Sequence, residues 1–372
     1  MTRIAKFWQR ITDGIALSQL WKQFRDDARS SYRLYSNEVD STRKPGIGKG
    51  KHFHNVASGF LWAVIEKLTP ARRVLLLIAL FLLFPNMEAT WRGSNGELRT
   101  FWFGGSFWGG LLLLVLLFFE IADRVVMKRD LQIAKEIQAW LLPPAPPQVP
   151  GLEIAFATRP ANTVAGDYYD VFSRSAPNPT GGAYLITIAD VAGKSVPAAM
   201  LMATFQASLK ALASTTSTLT GLVGRMNNYA CSNSQNGRRF TTTFIAEYEP
   251  ASCGLNYVNA GHNAPILRRS TGAIERLQTG GIPLGIQEDA YYESGTVTLQ
   301  RGDWLIIFTD GVTEAENDRT EEYGEARLMA VLCANLEATP SVLLNAIMLD
   351  LDRFVGDAPQ HDDITLMLLR AT

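Results

Sequence analysis

"LITIADVAGKSVPAAM", Leu185 to Met200, opens as an apolar run, stops at an acidic residue, Asp190, and passes through Gly193-Lys194-Ser195. It admits two readings: a glycine loop that holds phosphate, or a carboxylate that holds a metal. A phosphate loop needs the pattern G-x-x-x-x-G-K-[ST], so that successive backbone N–H groups curl around the phosphates. Here the first glycine of that pattern falls on Ile188. A β-branched residue does not take the positive φ the loop demands, so the glycine-loop reading fails. What remains is a strand ending at Asp190, a turn at Gly193-Lys194-Ser195, and a helical pattern from Pro197 to Ala213.

On either side of this stretch, short apolar runs recur from Gly151 onward: "LEIAFAT", "AYLITIAD", "TTTFIAEYE", "LNYVNAG", "APILRR", "SGTVTLQ", "DWLIIFTD" and "ITLMLL". Most are bounded by Gly, Pro, Asn or Ser clusters, as strands are. Helical patterns interrupt them at Pro197 to Ala213, at Thr218 to Cys231 and around Ser341 to Phe354. Strands followed by strands, with few helices between, predict an α+β domain of antiparallel sheets with helices packed outside.

Acidic residues stand at the ends of these runs. "VAGDYYD" carries Asp167 and Asp170, "LITIAD" ends in Asp190, "WLIIFTDG" ends in Asp310, and "QHDDIT" places Asp362 and Asp363 before the last strand. Any one Asp-Gly reads equally well as a turn or a cap. Several unpaired carboxylates at the mouths of apolar strands are costly unless something compensates them. Hard dications such as Mg²⁺ and Mn²⁺ do so with oxygen ligands and water.

The segments "IAKEIQAWLLP", "RPANTVAGDYYDVF", "IADVAGKSVPAAMLMA", "FTTTFIAEYEP", "YVNAGHNAPIL", "GGIPLGI", "GDWLIIFTDGVTEAEN", "YGEARL" and "HDDITLMLLR", in that order, resemble the metal-dependent protein phosphatase family (PPM, type 2C). Within it they resemble the bacterial sporulation stage II E and sigma-factor-regulating branch. The resemblance runs from about Asp130 to the C-terminus. Ala165 departs from it, standing where the family usually has a glycine. The resemblance implies an αββα sandwich, two antiparallel β-sheets flanked by helices, with two Mn²⁺ or Mg²⁺ ions at one end. It implies that Asp190 bridges both ions with the Val191 carbonyl as a further ligand. Asp167 would bind one ion, and Asp310 and Asp362 the other; Asp363 and Asp170 are weaker candidates. The implied reaction is in-line attack of a metal-bound water on phosphoserine or phosphothreonine of a signalling regulator, such as an anti-sigma-factor antagonist. The competing reading is an inactive phosphatase fold that only docks a partner. His262 reads as a loop-ordering residue in preference to a general acid, and Arg159 as a candidate for contact with phosphate.

The first third is different. From Met1 to Arg73 there are 14 Lys and Arg against 6 Asp and Glu, although the whole chain of 372 residues has a net charge of −1. That net charge gives no pull toward nucleic acid. No apolar run follows the first basic residues, so the opening does not read as a signal peptide. "FWFGGSFWGGLLLLVLLFF", Phe101 to Phe119, is uncharged and near the length needed to cross a bilayer. "VLLLIALFLLF", Val74 to Phe84, is shorter, and a re-entrant or interfacial segment is its alternative. Basic residues on both outer flanks favour two crossings and a cytoplasmic phosphatase domain at the inner membrane. The divisions expected are a basic segment 1–73, a membrane region 74–120, a linker helix with a Pro-rich tail 121–150, and the phosphatase domain 151–372. "IAKFWQRITDGIALSQLWKQF" has roughly helical apolar spacing, and His52 and His54 lie in a loop-like stretch. On the linker helix, Ile133, Ile137, Trp140 and Leu141 read as one apolar face, to be covered by the same helix of a second chain or by the phosphatase domain itself, and a homodimer is expected. Cys231, Cys253 and Cys333 lack metal spacing and read as buried small residues.

Overall fold

The computed structural model describes residues 68–83, 87–92, 98–103, 105–174, 182–233 and 239–372. The N-terminal helical pattern, His52 and His54 lie outside the described residues. The chain divides into two compact units, Met1–Val125 and Val126–Thr372.

In the first unit, helix α1 (Pro70–Leu83) is followed by a hairpin of β1 (Met87–Arg92) and β2 (Leu98–Phe103), and then by helix α2 (Gly105–Leu141), which continues into the second unit. The uncharged run expected to be one helix is therefore divided. Phe101 to Phe103 belong to β2: aromatic residues favour a strand, and Phe103 pairs with Met87. α1 and the start of α2 run antiparallel. A Cβ on Gly109 would lie 2.8 Å from the Ala79 carbonyl oxygen, so glycine is what lets the two backbones meet there. At the other end Arg72 pairs with Asp123 (2.6 Å) and Glu120 (3.6 Å). The fourteen residues of α1 span about 21 Å, and the uncharged Gly105–Phe119 about 22 Å. Both are shorter than a hydrocarbon core of about 30 Å, so the expectation of two full crossings gains no support from these lengths. Large apolar side chains on both helices are exposed, among them Phe81 (70%), Phe107 (69%) and Phe118 (68%).

The second unit is a four-layer αββα sandwich. One sheet has the order β10-β7-β6-β5-β4, with β11 also on β7; the other has the order β3-β13-β12-β8-β9. The strands of the first are β4 (Tyr168–Ser173), β5 (Tyr184–Val191), β6 (Thr241–Glu249), β7 (Gly254–Ala260), β10 (Gly280–Gly281) and β11 (Gly295–Thr298). Those of the second are β3 (Leu152–Arg159), β8 (Ile266–Arg268), β9 (Ile274–Arg276), β12 (Trp304–Phe308) and β13 (Ile364–Ala371). All pairs are antiparallel except the two-residue β10 against β7. Between the sheets lie Ile186, Ile188, Phe244, Leu305, Ile307 and Met367. The outer face of the first sheet is covered by α3 (Ser195–Ala213) and α4 (Leu219–Asn233), which bury Leu185 and Ala189 against Met202, Leu209 and Leu222. The outer face of the second is covered by α6 (Gly324–Ala334) and α7 (Pro340–Val355). The central strands, covered on both faces, bury most of their residues, which is why they read as continuous apolar runs. Each fully buried large side chain contributes about 1.5–3 kcal/mol.

The anticipated strands and the three anticipated helices are present. β4, β9, β10 and α6 went unanticipated, as did a one-turn helix α5 (Asp310–Thr313). Two expectations need correction. Leu141 does not share the face of Ile133, Ile137 and Trp140: it is half-buried, whereas Trp140 is 80% exposed. Cys333 is exposed, and Cys231 and Cys253 are half-buried.

Candidate metal centre

Strand pairing brings the acidic residues together. Tyr168 pairs with Ala189 across β4 and β5, so Asp167 and Asp190 leave the same end of the first sheet. Phe308 pairs with Leu366 across β12 and β13, so Thr309, Asp310, Asp362 and Asp363 leave the matching end of the second. Thr309 ties the two. Its N–H donates to the Thr365 carbonyl (3.0 Å) and its hydroxyl donates to Asp167 Oδ2 (3.0 Å). Gly311 follows Asp310 because a Cβ there would lie 2.0 Å from the Asp363 carbonyl oxygen.

The carboxyl groups sense one another. Burial pushes Asp190 up to about 7, and the charges of Asp310, Asp362 and Asp363 push in the same direction. Asp167, 2% exposed, is held well above the carboxylate range by burial first and by Asp190 second. Asp310 is raised by burial and then by Asp362. Asp363 is raised by burial, against the lowering effect of the Ala161 and Gly166 N–H groups. Those two N–H groups donate to Asp363 Oδ1 (2.7 Å) and Oδ2 (2.6 Å), so Asp363 holds the 161–166 loop closed. The Val191 carbonyl oxygen lies beside Gly166, 3.1 Å from where a Cβ would stand.

Among the described residues, no three His, Cys, Asp or Glu side chains converge tightly enough to enclose an ion unaided. A hard dication that keeps several waters needs only one or two carboxylates. A set of mutually repelling carboxyl groups with a nearby carbonyl fits such an ion.

The family model for Stage II sporulation protein E (SpoIIE) matches residues 180–372, more than half of the chain. The chain belongs to the SpoIIE family. The match contains Asp190, Asp310, Asp362 and Asp363; Asp167 and α2 precede it. Protein IcfG of Synechocystis sp. is 30% identical over 276 residues, 67% of this chain and 42% of IcfG, so the chain spans less than half of that relative's length. Phosphoserine phosphatase RsbU of Bacillus subtilis is 28% identical over 249 residues, 66% of this chain and 70% of RsbU. The SiaA-PP2C domain of Pseudomonas aeruginosa superposes with a TM-score of 0.57, covering 68% of this chain and 99% of that domain at 19% identity. The SpoIIE-family domain therefore has the PP2C-type fold.

Not every residue singled out in the sequence joins this SpoIIE-family site. Asp170 points away from it: its carboxylate is buried, accepts the Tyr168 hydroxyl (2.8 Å) and pairs with Lys210 (2.6 Å) on α3. Side chains alternate along β4, so three residues beyond Asp167 this one faces the helices. His262 is buried, and burial lowers it to about 4. A neutral imidazole 3.0 Å from the Thr242 hydroxyl, on a residue whose own N–H donates to Asn259, orders the loop as anticipated and carries no acidic proton at neutral pH. Arg159 lines an open cleft of about 430 Å³ beside the site, paired with Asp352.

Three site residues escape the sequence reading. Lys194 reads there as part of a turn, yet its Nζ lies 3.2 Å from Asp362 Oδ2 and donates to the His361 carbonyl (2.6 Å). Its place directly before a helix, four residues after Asp190, is the available signal. Thr309 has its position between an apolar strand and Asp310. Gln138, which bonds to Ala165 from α2, has none beyond the "EIQ" triplet of the resembling segment.

Proposed function

We propose that the chain is a metal-dependent protein phosphatase that hydrolyses phosphoserine or phosphothreonine on a signalling regulator, such as an anti-sigma-factor antagonist. The observation that carries it is that strand pairing brings Asp167, Asp190, Asp310 and Asp362 to one end of a SpoIIE-family sandwich. The names of the relatives RsbU and RsbP, both phosphoserine phosphatases, support the same reading. When bound, two Mn²⁺ or Mg²⁺ ions supply a water of lowered pKa and neutralise phosphoryl oxygens. Asp190 would hold the ions together with Asp167, whose carboxyl group feels its charge, and with Asp310 and Asp362, whose charges it feels in turn; the Val191 carbonyl would be a further donor. Asp363 closes the 161–166 loop behind them. Lys194 and Arg159 place positive charge on the rim of the cleft, where a phosphorylated side chain enters. No residue is required to form a covalent intermediate. The test is Mn²⁺-dependent phosphate release from a phosphoserine peptide. Release without added metal and unaffected by a chelator contradicts the reading, and no release at all favours the docking-module alternative.

The exposed apolar side chains of α1 and of the first half of α2 support a tether at the inner membrane, with the Arg72–Asp123 end and the phosphatase domain cytoplasmic. Exposed Ile133, Ile137 and Trp140 support pairing with α2 of a second copy.

A further inference from the structure

The second half of α2 has a buried side that the metal chemistry leaves unexplained. Leu131, Ala134, Gln138 and Leu141 recur at helical spacing and are partly or fully covered. Gln138 is the most buried of them, 7% exposed, and it is polar. Its Nε2 donates to the Ala165 carbonyl (2.7 Å), and the Ala165 N–H donates to its Oε1 (2.9 Å). One carboxamide thus satisfies both backbone groups of one residue, as a neighbouring strand would. Ala165 is 2% exposed, so water offers these groups no substitute.

The two residues after Ala165 connect this clamp to the metal centre. The Gly166 N–H donates to Asp363 Oδ2, and Gly166 lies against the Val191 carbonyl oxygen. Asp167 comes next and is bonded by Thr309. The peptide held by Gln138 is therefore continuous with the loop that carries one carboxylate of the candidate metal centre and touches two more of its donors.

We propose that Gln138 is a positioning residue for the metal loop: by clamping Ala165 it sets Asp167 in its ligating pose. This rests on the metal-dependent reading of the site. A side-chain tip about 6 Å from a helix axis moves about 2 Å when the helix turns by about 20°. Hydrogen bonds of 2.7 and 2.9 Å do not survive that displacement.

Asn227 on α4 provides a matched control. It too is a buried amide that clamps a loop, accepting the Gly285 N–H (3.0 Å) and donating to the Gln287 carbonyl (2.9 Å), but that loop carries no site residue. The experiment measures Mn²⁺ binding by calorimetric titration, together with thermal unfolding in the absence of metal, for the full chain and for Gln138→Leu, Gln138→Glu and Asn227→Leu. Gln138→Leu should weaken Mn²⁺ binding by about 10–100-fold, the range for residues that orient ligands. Gln138→Glu keeps the acceptor for the Ala165 N–H and should fall between. Asn227→Leu should lower the unfolding temperature and leave Mn²⁺ affinity alone. Unchanged Mn²⁺ affinity in the two Gln138 variants overturns the proposal, as does equal weakening in Asn227→Leu. If Gln138→Leu does not fold, Gln138→Glu decides alone. A wild-type chain that binds no Mn²⁺ overturns the metal reading and this inference with it.

Discussion

Two apolar helical stretches meet opposite fates in this chain. α3, Ser195 to Ala213, is long and apolar enough to cross a membrane, yet it lies on a sheet with Met202 and Leu209 fully buried. The opening of α2, Gly105 to Phe119, exposes Phe107, Leu114 and Phe118. An apolar stretch states only that water is disfavoured. What covers it depends on the neighbours: α3 comes after a strand whose outer face needs a cover, whereas these side chains of α2 stay exposed. The same contrast separates β5, covered on both faces, from the strand ends where Asp190 and its partners emerge.

Breaking the covered region at its functional end should have the largest effect. Asp190→Asn should abolish Mn²⁺-dependent phosphate release, by more than the roughly 100-fold that an outer residue costs, while circular dichroism and unfolding temperature in the absence of metal stay near wild type. Turnover near wild type at saturating Mn²⁺ would falsify the assignment.

The two apolar helices can be compared directly. Met202→Ala should destabilise the domain by about 2–5 kcal/mol, measured by denaturant unfolding. Phe118→Ser should leave that unfolding transition in place and instead reduce flotation of the full chain with phospholipid vesicles. If both variants shift unfolding alike, the exposure of α2 is covered by protein and the tether reading fails.

The mutual repulsion of the carboxyl groups predicts a pH signature. Asp190 titrates at about 7 in the fold, above its ordinary 3.8. The folded state therefore holds the proton more tightly than the unfolded chain. The associated stability is complete below about pH 4 and is lost as pH rises through 7. Unfolding in the absence of metal should occur at a lower temperature at pH 8 than at pH 5, and Mn²⁺ should restore more at pH 8. The opposite ordering in wild type, or the same pH dependence in Asp190→Asn, would show that another group controls the effect.

Smaller consequences are expected away from the site. Asp170→Asn removes a charge from the pair with Lys210, whose ammonium is more than one-third exposed. A loss of about 1.5–3 kcal/mol is expected, with turnover at saturating metal little changed; a collapse of turnover would return Asp170 to the metal site. Ile137→Asp should convert a dimer to a monomer in light scattering with almost no change in unfolding temperature, because Ile137 is already 47% exposed.

Much of this is legible in the amino-acid order. Strand ends announce themselves as apolar runs stopping at Asp190 and Asp310, because a strand buried on both faces must be apolar until it emerges. The Gly193-Lys194-Ser195 turn is separable from a phosphate loop by Ile188 alone. Some elements are hidden for physical reasons. β4 begins with Tyr168-Tyr169-Asp170, a polar-looking stretch whose aspartate is neutralised by Lys210 from 40 positions away. Phe101 to Phe103 merge into an apolar run, and only pairing with Met87 to Ala89 shows them as strand.

By itself the order of residues determined an α+β domain of antiparallel sheets with helices outside, the acidic residues at the strand ends, and the apolar character of the opening third, since each is a local property of composition and period; the αββα layering came from the family resemblance. Tertiary structure alone decided which carboxylates meet. Asp167 and Asp170 are both acidic and three residues apart, but the alternation of a strand sends one toward the candidate metal centre and the other to α3. It also decided that Gln138 on a linker helix touches Ala165, because contact between residues 27 positions apart depends on how two elements are seated and not on the composition of either.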